Sequence, residues 1–478
     1  MKRFKNQVKK DLMDKTHIPF TFDKNLLPSN TEKKVHYKRM IRNTCIIMVS
    51  CLLLTIVSIP LFAFMNVESS YRKIKKDYSI HQLNLIESSS FKKLNEVNYP
   101  DIHQQYNLTL SSEYKESMVD FAYQVYQNTE QIDNFSFTPV GLYSNLFVAS
   151  LASQNDEVLK DFDNVLGLSF QERKENFVKM YQKDYFSNSN GTLQMYNSVF
   201  LTNQYSINND FLHSLSDCFV EAYQLNFSSN KDVNQMLSWV DQKLNTNHFL
   251  EKEDLQIDEY SAMYILSTFY FDNRWYHSFQ TSSSYQDKFY IDSNHAIDAN
   301  YMMHTYYGQI YEYDHYVSCY DYYENGMKIQ YLVPKEQKDN IFTLVENKNF
   351  LKETGTLKDN IIIQLSALKF DVTFFQDFTQ TLKKMGLVNA FDDDVPAFNY
   401  VFNENLNQNI FLSFVKQKNN ISFTEDGTTI KSVTFSGLKS TSAAPYDDTY
   451  EVSLNQPFIY VIYDSNDLPL FIGNVNHP

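Results

Sequence analysis

The chain has 478 residues, enough for one large domain or two ordinary ones, and its 43% hydrophobic content with 35 Tyr and 38 Phe excludes a disordered polymer. The net charge of −15 is uneven: residues 1–43 hold twelve Lys or Arg against four Asp or Glu, which leaves 30 basic against 53 acidic residues in the remainder. An acidic main region does not suit nucleic acid or other polyanions.

The basic segment 1–43 reads as a cytoplasmic tail. Thr44 to Met65 follows without a single charge. As a helix, this run would reach about 33 Å, enough to cross a hydrocarbon core of about 30 Å. A cleaved signal peptide fits poorly, because the preceding basic stretch is long and no A-x-A site follows. Lys33, Lys34, Lys38, Arg39 and Arg42 precede the run and Arg72, Lys73, Lys75 and Lys76 follow it, a modest positive-inside bias. Together with the acidic downstream region, this sets the expectation of a single-pass chain, N-terminus in the cytoplasm and main domain outside, touching membrane lipid through residues 44–65. Residues 66–107 have irregular polarity and read as a stalk, and the folded domain is expected over 108–478.

Within that domain, Ser117 to Gln127 and Val140 to Ala152 carry apolar residues at helical spacing, the second begun by Thr138-Pro139. Later runs are short, β-branched and aromatic: Tyr264 to Phe271, Met327 to Val333, Ile361 to Phe370, Ile421 to Phe423 and Pro457 to Tyr463. Helices followed by strands indicate an α+β fold. Cys45, Cys51, Cys218 and Cys319 make no CxxC and no spacing with the eleven scattered histidines that would hold a metal. GxSxG, HExxH, GxGxxG and P-loop motifs are all lacking, so no catalytic residue, metal or cofactor is expected.

Several segments, in order, resemble the serpin family of protease inhibitors. Asn134-Phe-Ser-Phe-Thr-Pro139 is similar to the strand-to-helix opening of that fold, with Thr138 and Gly141 where small hydroxyls are usual. Asn197 to Leu201, Val233-Asn234 with Trp239-Val240, and Thr268 through Trp275 to Phe279 continue the resemblance, with Ser267 where asparagine is usual. Met302-Met303, Tyr331 to Pro334, and Leu382 through Gly386 to Phe391 follow. Val415 to Lys418, Glu425 to Thr428, Pro457-Phe458 and Leu470 to Gly473 then resemble the last strands and the reactive-loop hinge. The resemblance implies helices packed on a large central mixed β-sheet with smaller sheets and an exposed reactive-centre loop. It also implies a suicide-substrate inhibitor rather than an enzyme, a serine or cysteine protease as partner, and a monomer. A non-inhibitory surface binding protein on the same fold is the alternative.

The resemblance places the hinge at Glu425, Asp426, Gly427, Thr428, Thr429 and Ile430. The scissile bond falls within Leu438, Lys439, Ser440, Thr441, Ser442, Ala443 and Ala444, near Thr441-Ser442. Lys439 would suit a trypsin-like target, and Thr441, Ala443 or Ala444 one with a small pocket. Thr428 to Ser436 is proline-free and rich in β-formers, as a segment that becomes a central strand must be. Alternation puts Thr428, Ile430, Ser432, Thr434 and Ser436 on one face, small enough to turn inward, and Lys431 on the other. Ile430, Lys431 and Val433 depart from the alanines usual in inhibitory members, and bulk at Ile430 would slow insertion.

Overall fold

A computed structural model describes residues 89–104, 106–130, 134–189, 191–258, 260–336, 348–352, 354–429 and 449–478. The expected tail and membrane-crossing helix, residues 1–65, lie outside these, as do Ile430 and the expected scissile residues Leu438 to Ala444. Among the described residues no helix is long and apolar enough to cross a membrane.

The fold is α+β, with two large sheets. The first runs in the order β1 (Lys92–Lys93), β5 (Val220–Leu225), β4 (Gly191–Thr202), β6 (Met263–Arg274), β14 (Gly427–Thr429), β13 (Lys416–Phe423) and β12 (Phe370–Asp377), with β3 (Phe186–Asn188) paired to β4. The second runs β15 (Thr449–Ser453), β11 (Thr356–Leu368), β8 (Ala296–Glu312), β9 (Tyr316–Tyr322), β10 (Lys328–Pro334), β16 (Phe458–Tyr463), β17 (Pro469–Val475) and β2 (Phe135–Phe137), with β7 (Tyr285–Tyr290) on β8. Both are mixed, through the parallel pairs β4 with β5 and β11 with β15. Where several smaller sheets were expected, one nine-stranded sheet is found. The cause is β8, whose 17 residues pair first with β7 and β11 and then with β9, so one ladder carries into the next.

The helices are α1 (Ser112–Asn128), α2 (Pro139–Leu151), α3 (Asp156–Leu166), α4 (Phe170–Lys183), α5 (Asn209–Asp217), α6 (Asn230–Lys243), α7 (Lys252–Leu255) and α8 (Thr379–Met385). Helix α2 is apolar nearly all round, so it can only sit inside the molecule, and it packs between β6 and β17. Its start is fixed by Thr138, whose Oγ1 accepts from Gly141 N at 3.1 Å, with Pro139 in the first turn where a missing amide costs nothing. Helix α6 turns Met236, Trp239 and Val240 onto Phe200, Leu225 and Leu266, a second core on the opposite face of the first sheet.

Residues from Ser89 on belong to the folded unit, so the domain starts earlier than residue 108 and the described part of the expected stalk is packed. Lys92 and Lys93 pair with Gln224 and Tyr223 on the outer edge of β5, and Leu94 N donates to Ala222 O at 2.8 Å. Ser89 Oγ donates to Asp232 Oδ1 at 2.8 Å and Tyr99 stacks on Tyr185. A sheet edge is thereby covered, which removes a row of unpaired backbone groups.

A buried ionic cluster joins α4 to the β16–β17 turn. Lys183 Nζ donates to Asp184 Oδ1 at 2.6 Å and to Asp464, and all three residues are less than 5% exposed. One ammonium cannot neutralise two carboxylates. Burial pushes the Asp184 carboxyl up, Lys183 opposes this and the Asp464 charge adds to it, with the result at about 7. The folded state therefore binds this proton more tightly than the unfolded chain, whose carboxyl titrates near ~4. The stability so gained is full below that value and is lost as pH climbs to about 7. Denaturant titrations across this window should show the unfolding free energy falling, by on the order of 1 to 4 kcal/mol, and the Asp184→Asn chain should show little of that slope.

Candidate functional site

The site begins at a tight turn. Gly427 N donates to Thr424 O at 3.3 Å and Thr424 N to Gly427 O at 3.0 Å, which folds β14 back beside β13. The turn is gripped by the segment just after β6: Trp275 Nε1 donates to Thr424 O at 2.9 Å, Trp275 N to Asp426 O at 3.3 Å and Phe279 N to Glu425 O at 3.2 Å. The Glu425 carboxylate accepts from Lys369 Nζ at 2.8 Å and Ser284 Oγ at 2.6 Å. Burial pushes its pKa up, but these two partners outweigh burial and hold it below the usual carboxylate range. Asp426 is exposed.

Gly427 pairs with Arg274, Thr428 with Asn273 and Phe423, and Thr429 with Asp272 and Ser422. Only glycine fits at 427, since a Cβ there would collide with the Asn273 carbonyl oxygen and come within 2.9 Å of Arg274 Cα. Thr428 is fully buried and its hydroxyl shares a 2.7 Å hydrogen bond with the Tyr323 hydroxyl. The Trp275 ring stacks on Tyr323 at 4.8 Å. The inward face expected of Thr428 is thus the face it occupies.

Three residues of β14 occupy only the upper end of a longer opening. From Met263 to Phe271 on β6, and from Lys416 to Ile421 on β13, no ladder joins the two strands among the described residues. A cavity of about 640 Å³ lies at the lower end of this opening, lined by Met263, Ile265, Ile410, Leu412, Val415 and Asn145. Asn145 of α2 donates to Ile265 O at 2.9 Å. On the other bank, Gln417 Oε1 accepts from Thr138 N at 2.7 Å, which ties β13 to the start of α2. Ser267 Oγ, on β6, is buried without a hydrogen-bond partner among the described residues and faces a smaller cavity that Gln417 also lines. Across the mouth, Lys418 Nζ reaches Asp254 Oδ2 of α7 at 3.0 Å.

The hinge residues from Glu425 to Thr429 are therefore brought together at the top of the opening. Their partners Tyr323, Lys369 and Ser284, and Asn145 at the other end of the opening, were not singled out from the sequence. Each is an isolated residue on a distant element, and nothing local marks it. Cys218 and Cys319 are free and buried.

The first sheet is thus bridged by β14 at one end, and β6 and β13 run on without a shared ladder among the described residues. Residues 116–478 match the family described as Serpin (serine protease inhibitor), and the chain belongs to that family. It is 24% identical over 359 residues to serine proteinase inhibitor 1 of variola virus, covering 72% of this chain and 92% of that one. It is 20% identical over 383 residues to alpha-1-antiproteinase S of Cavia porcellus, covering 77% and 91%. Among solved structures, the native state of the thermophilic serpin tengpin superposes with a TM-score of 0.69 at 21% identity, over 81% of this chain and all of that one. Membership places the chain with protease inhibitors rather than with enzymes.

Proposed function

We propose that this chain inhibits a serine or cysteine endopeptidase by offering the segment between Thr429 and Thr449 as bait and drawing its N-terminal part into the first sheet once it is cut. The observation that carries the reading is the parted β6–β13 opening with β14 as its first rung. Continuing the β14 register sets Ile430 beside Phe271 and Ile421, Thr434 beside Ser267 and Gln417, and Leu438 beside Met263. The core-facing residues would then be Ile430, Ser432, Thr434 and Ser436, and the Thr434 hydroxyl would offer Ser267 Oγ the partner it lacks among the described residues. Filling the opening at about 1 kcal/mol net per new hydrogen bond yields on the order of 10 kcal/mol, comparable with a domain's whole stability.

The chain acts as a monomer held at the outer cell surface by residues 44–65, with residues 1–43 in the cytoplasm. Charge asymmetry and the length of the apolar run support this arrangement. Protease shaving of intact cells tests it, and a domain left untouched would overturn it.

Incubation with trypsin, elastase and subtilisin tests the inhibitory reading. A covalent complex that survives denaturant is expected with at least one of them, and the nicked chain should melt well above the intact one. A second reading has its own observation: Ile430 must enter between Phe271 and Ile421, both fully buried, where there is little spare room. Clean cleavage with no complex and no rise in melting temperature would assign the chain to surface binding on a serpin scaffold.

A further inference from the structure

The segment read above as bait rejoins the fold at Thr449, where β15 runs parallel to β11, and β11 in turn pairs with β8. Register lines up two rows across these three strands, Thr449 with Ile362 and Tyr307, and Glu451 with Gln364 and Thr305. The alternate residues Val452, Ile363, Leu365 and Tyr306 are buried in the core, so the two rows face the other way. Tyr307 is 53% exposed, and Thr449, Glu451 and Thr305 are exposed as well. A tyrosine ring held in the open by a rigid sheet is the kind of group that fills a partner's pocket.

Charge decides what suits this face. Gln309, two residues along from Tyr307 and so on the same face, donates through Nε2 to Asp359 Oδ1 at 3.0 Å, and Asp359 is exposed. Among the described residues neither Asp359 nor Glu451 has an ion pair. Two uncompensated carboxylates therefore stand on either side of the row made by Tyr307 and Ile362. Lys358 is the only lysine or arginine on the three strands, and Glu312 Oε1 holds it at 2.8 Å. Lys288 on neighbouring β7 is held by Asp298 Oδ1 at 2.6 Å. The negative charge is left for a partner to meet. Polyanions are repelled, and a second copy docked face to face would bring the same carboxylates against these.

We propose that this face is a docking surface for the body of the target endopeptidase, and that the target is a cationic enzyme with lysine or arginine around an apolar spot beside its cleft. Continuity of the chain supports the assignment. Thr449 is both the first residue of the face and the end of the segment the enzyme must hold to cut, so an enzyme seated on that segment brings its own surface to β15. The inference rests on the reading of that segment as bait, and it adds selection before any bond is cut. Glu451 and Asp359 speed arrival of a cationic enzyme, and contact with Tyr307 and Ile362 slows its departure.

Cationic and anionic trypsin cut at the same residue types but differ in surface charge, which makes them suitable probes. The readout is the rate at which each cuts segment 430–448 in the full chain, divided by its rate on a free peptide of the same residues. At low salt this ratio should be at least about tenfold higher for cationic trypsin, and the difference should shrink as ionic strength rises. Glu451→Lys with Asp359→Lys should abolish or reverse the preference. The same charge change at exposed positions of α3 and α4, Glu157→Lys with Glu175→Lys, should leave it within about twofold. Tyr307→Ala should lower the ratio about fivefold for both enzymes. Equal ratios for the two enzymes overturn the proposal, as does a ratio that Tyr307→Ala leaves unchanged. A preference that both double variants alter alike also overturns it, because the charge of the whole domain would then be the cause. If the first double variant does not fold, Glu451→Gln with Asp359→Asn takes its place and should weaken the preference. Cleavage is read rather than capture, so the lack of a covalent complex would count against the inhibitory reading alone.

Discussion

With arginine in place of Thr428, the loop is still cut but no complex survives denaturant: the inhibitor becomes a substrate. Thr428 is fully buried in β14 against Tyr323, flanked by Asn273 and Phe423, and under the proposed insertion it would be the first core-facing residue of the new strand. A guanidinium there would leave water for a buried site, and burying a charge without a well-placed partner costs several kcal/mol. Every later rung depends on this one, so the whole penalty falls on the barrier to insertion. About 2.7 kcal/mol already slows a step a hundredfold, which lets the acyl-protease hydrolyse first. The stoichiometry of inhibition should rise steeply for Thr428→Arg and hardly change for Thr428→Ser, which keeps the hydroxyl. Equal complex yield from wild type and Thr428→Arg would show that insertion does not begin here.

Gly427→Ala should lower the melting temperature of the intact chain and shift its fluorescence. The added methyl meets main-chain atoms of Asn273 and Arg274, which no side-chain rotation can relieve. Either the strands part further or β14 leaves the sheet. Overpacking of this kind costs about 1 to 3 kcal/mol, equivalent to a few degrees for a domain of this size. Trp275 reports which occurs, since its ring stacks on Tyr323 directly behind Thr428. The chain has only one other tryptophan, Trp239 on α6, and a Trp239→Phe background isolates the signal. Unchanged melting and emission would mean that the hinge tolerates a side chain.

The segment Glu425 to Thr428 was picked out through its resemblance to the serpin pattern, and alternation along the strand then gave Thr428 an inward face, where its side chain is buried. Of the strands on either side, β6 was legible from its β-branched and aromatic run, and β13 only at its end, Ile421 to Phe423, since the preceding residues are polar. What holds the hinge was not legible. Thr428 meets Tyr323 across 105 positions of chain, and Glu425 meets Lys369 across 56, contacts that only the folded sheets create. The two-lysine strand β1 was equally invisible: both side chains are exposed, and the backbone alone makes the pairing. Its irregular polarity read as a stalk because an edge strand held this way needs no apolar face. The breadth of the second sheet escaped for a related reason, as nothing in the residues of β8 announces that one strand will serve two ladders.

The small strand β1 also fixes a direction. Lys92, Gln224, Leu201 and Met263 stand in one row across the first sheet, whereas the hinge glycine stands beside Arg274 at the other end of β6. Twelve residues of strand separate the two ends, roughly 40 Å. Under the proposed insertion, a segment entering the opening from Gly427 would carry its cut end along that whole length, toward the end of the sheet where Ser89 Oγ donates to Asp232 of α6.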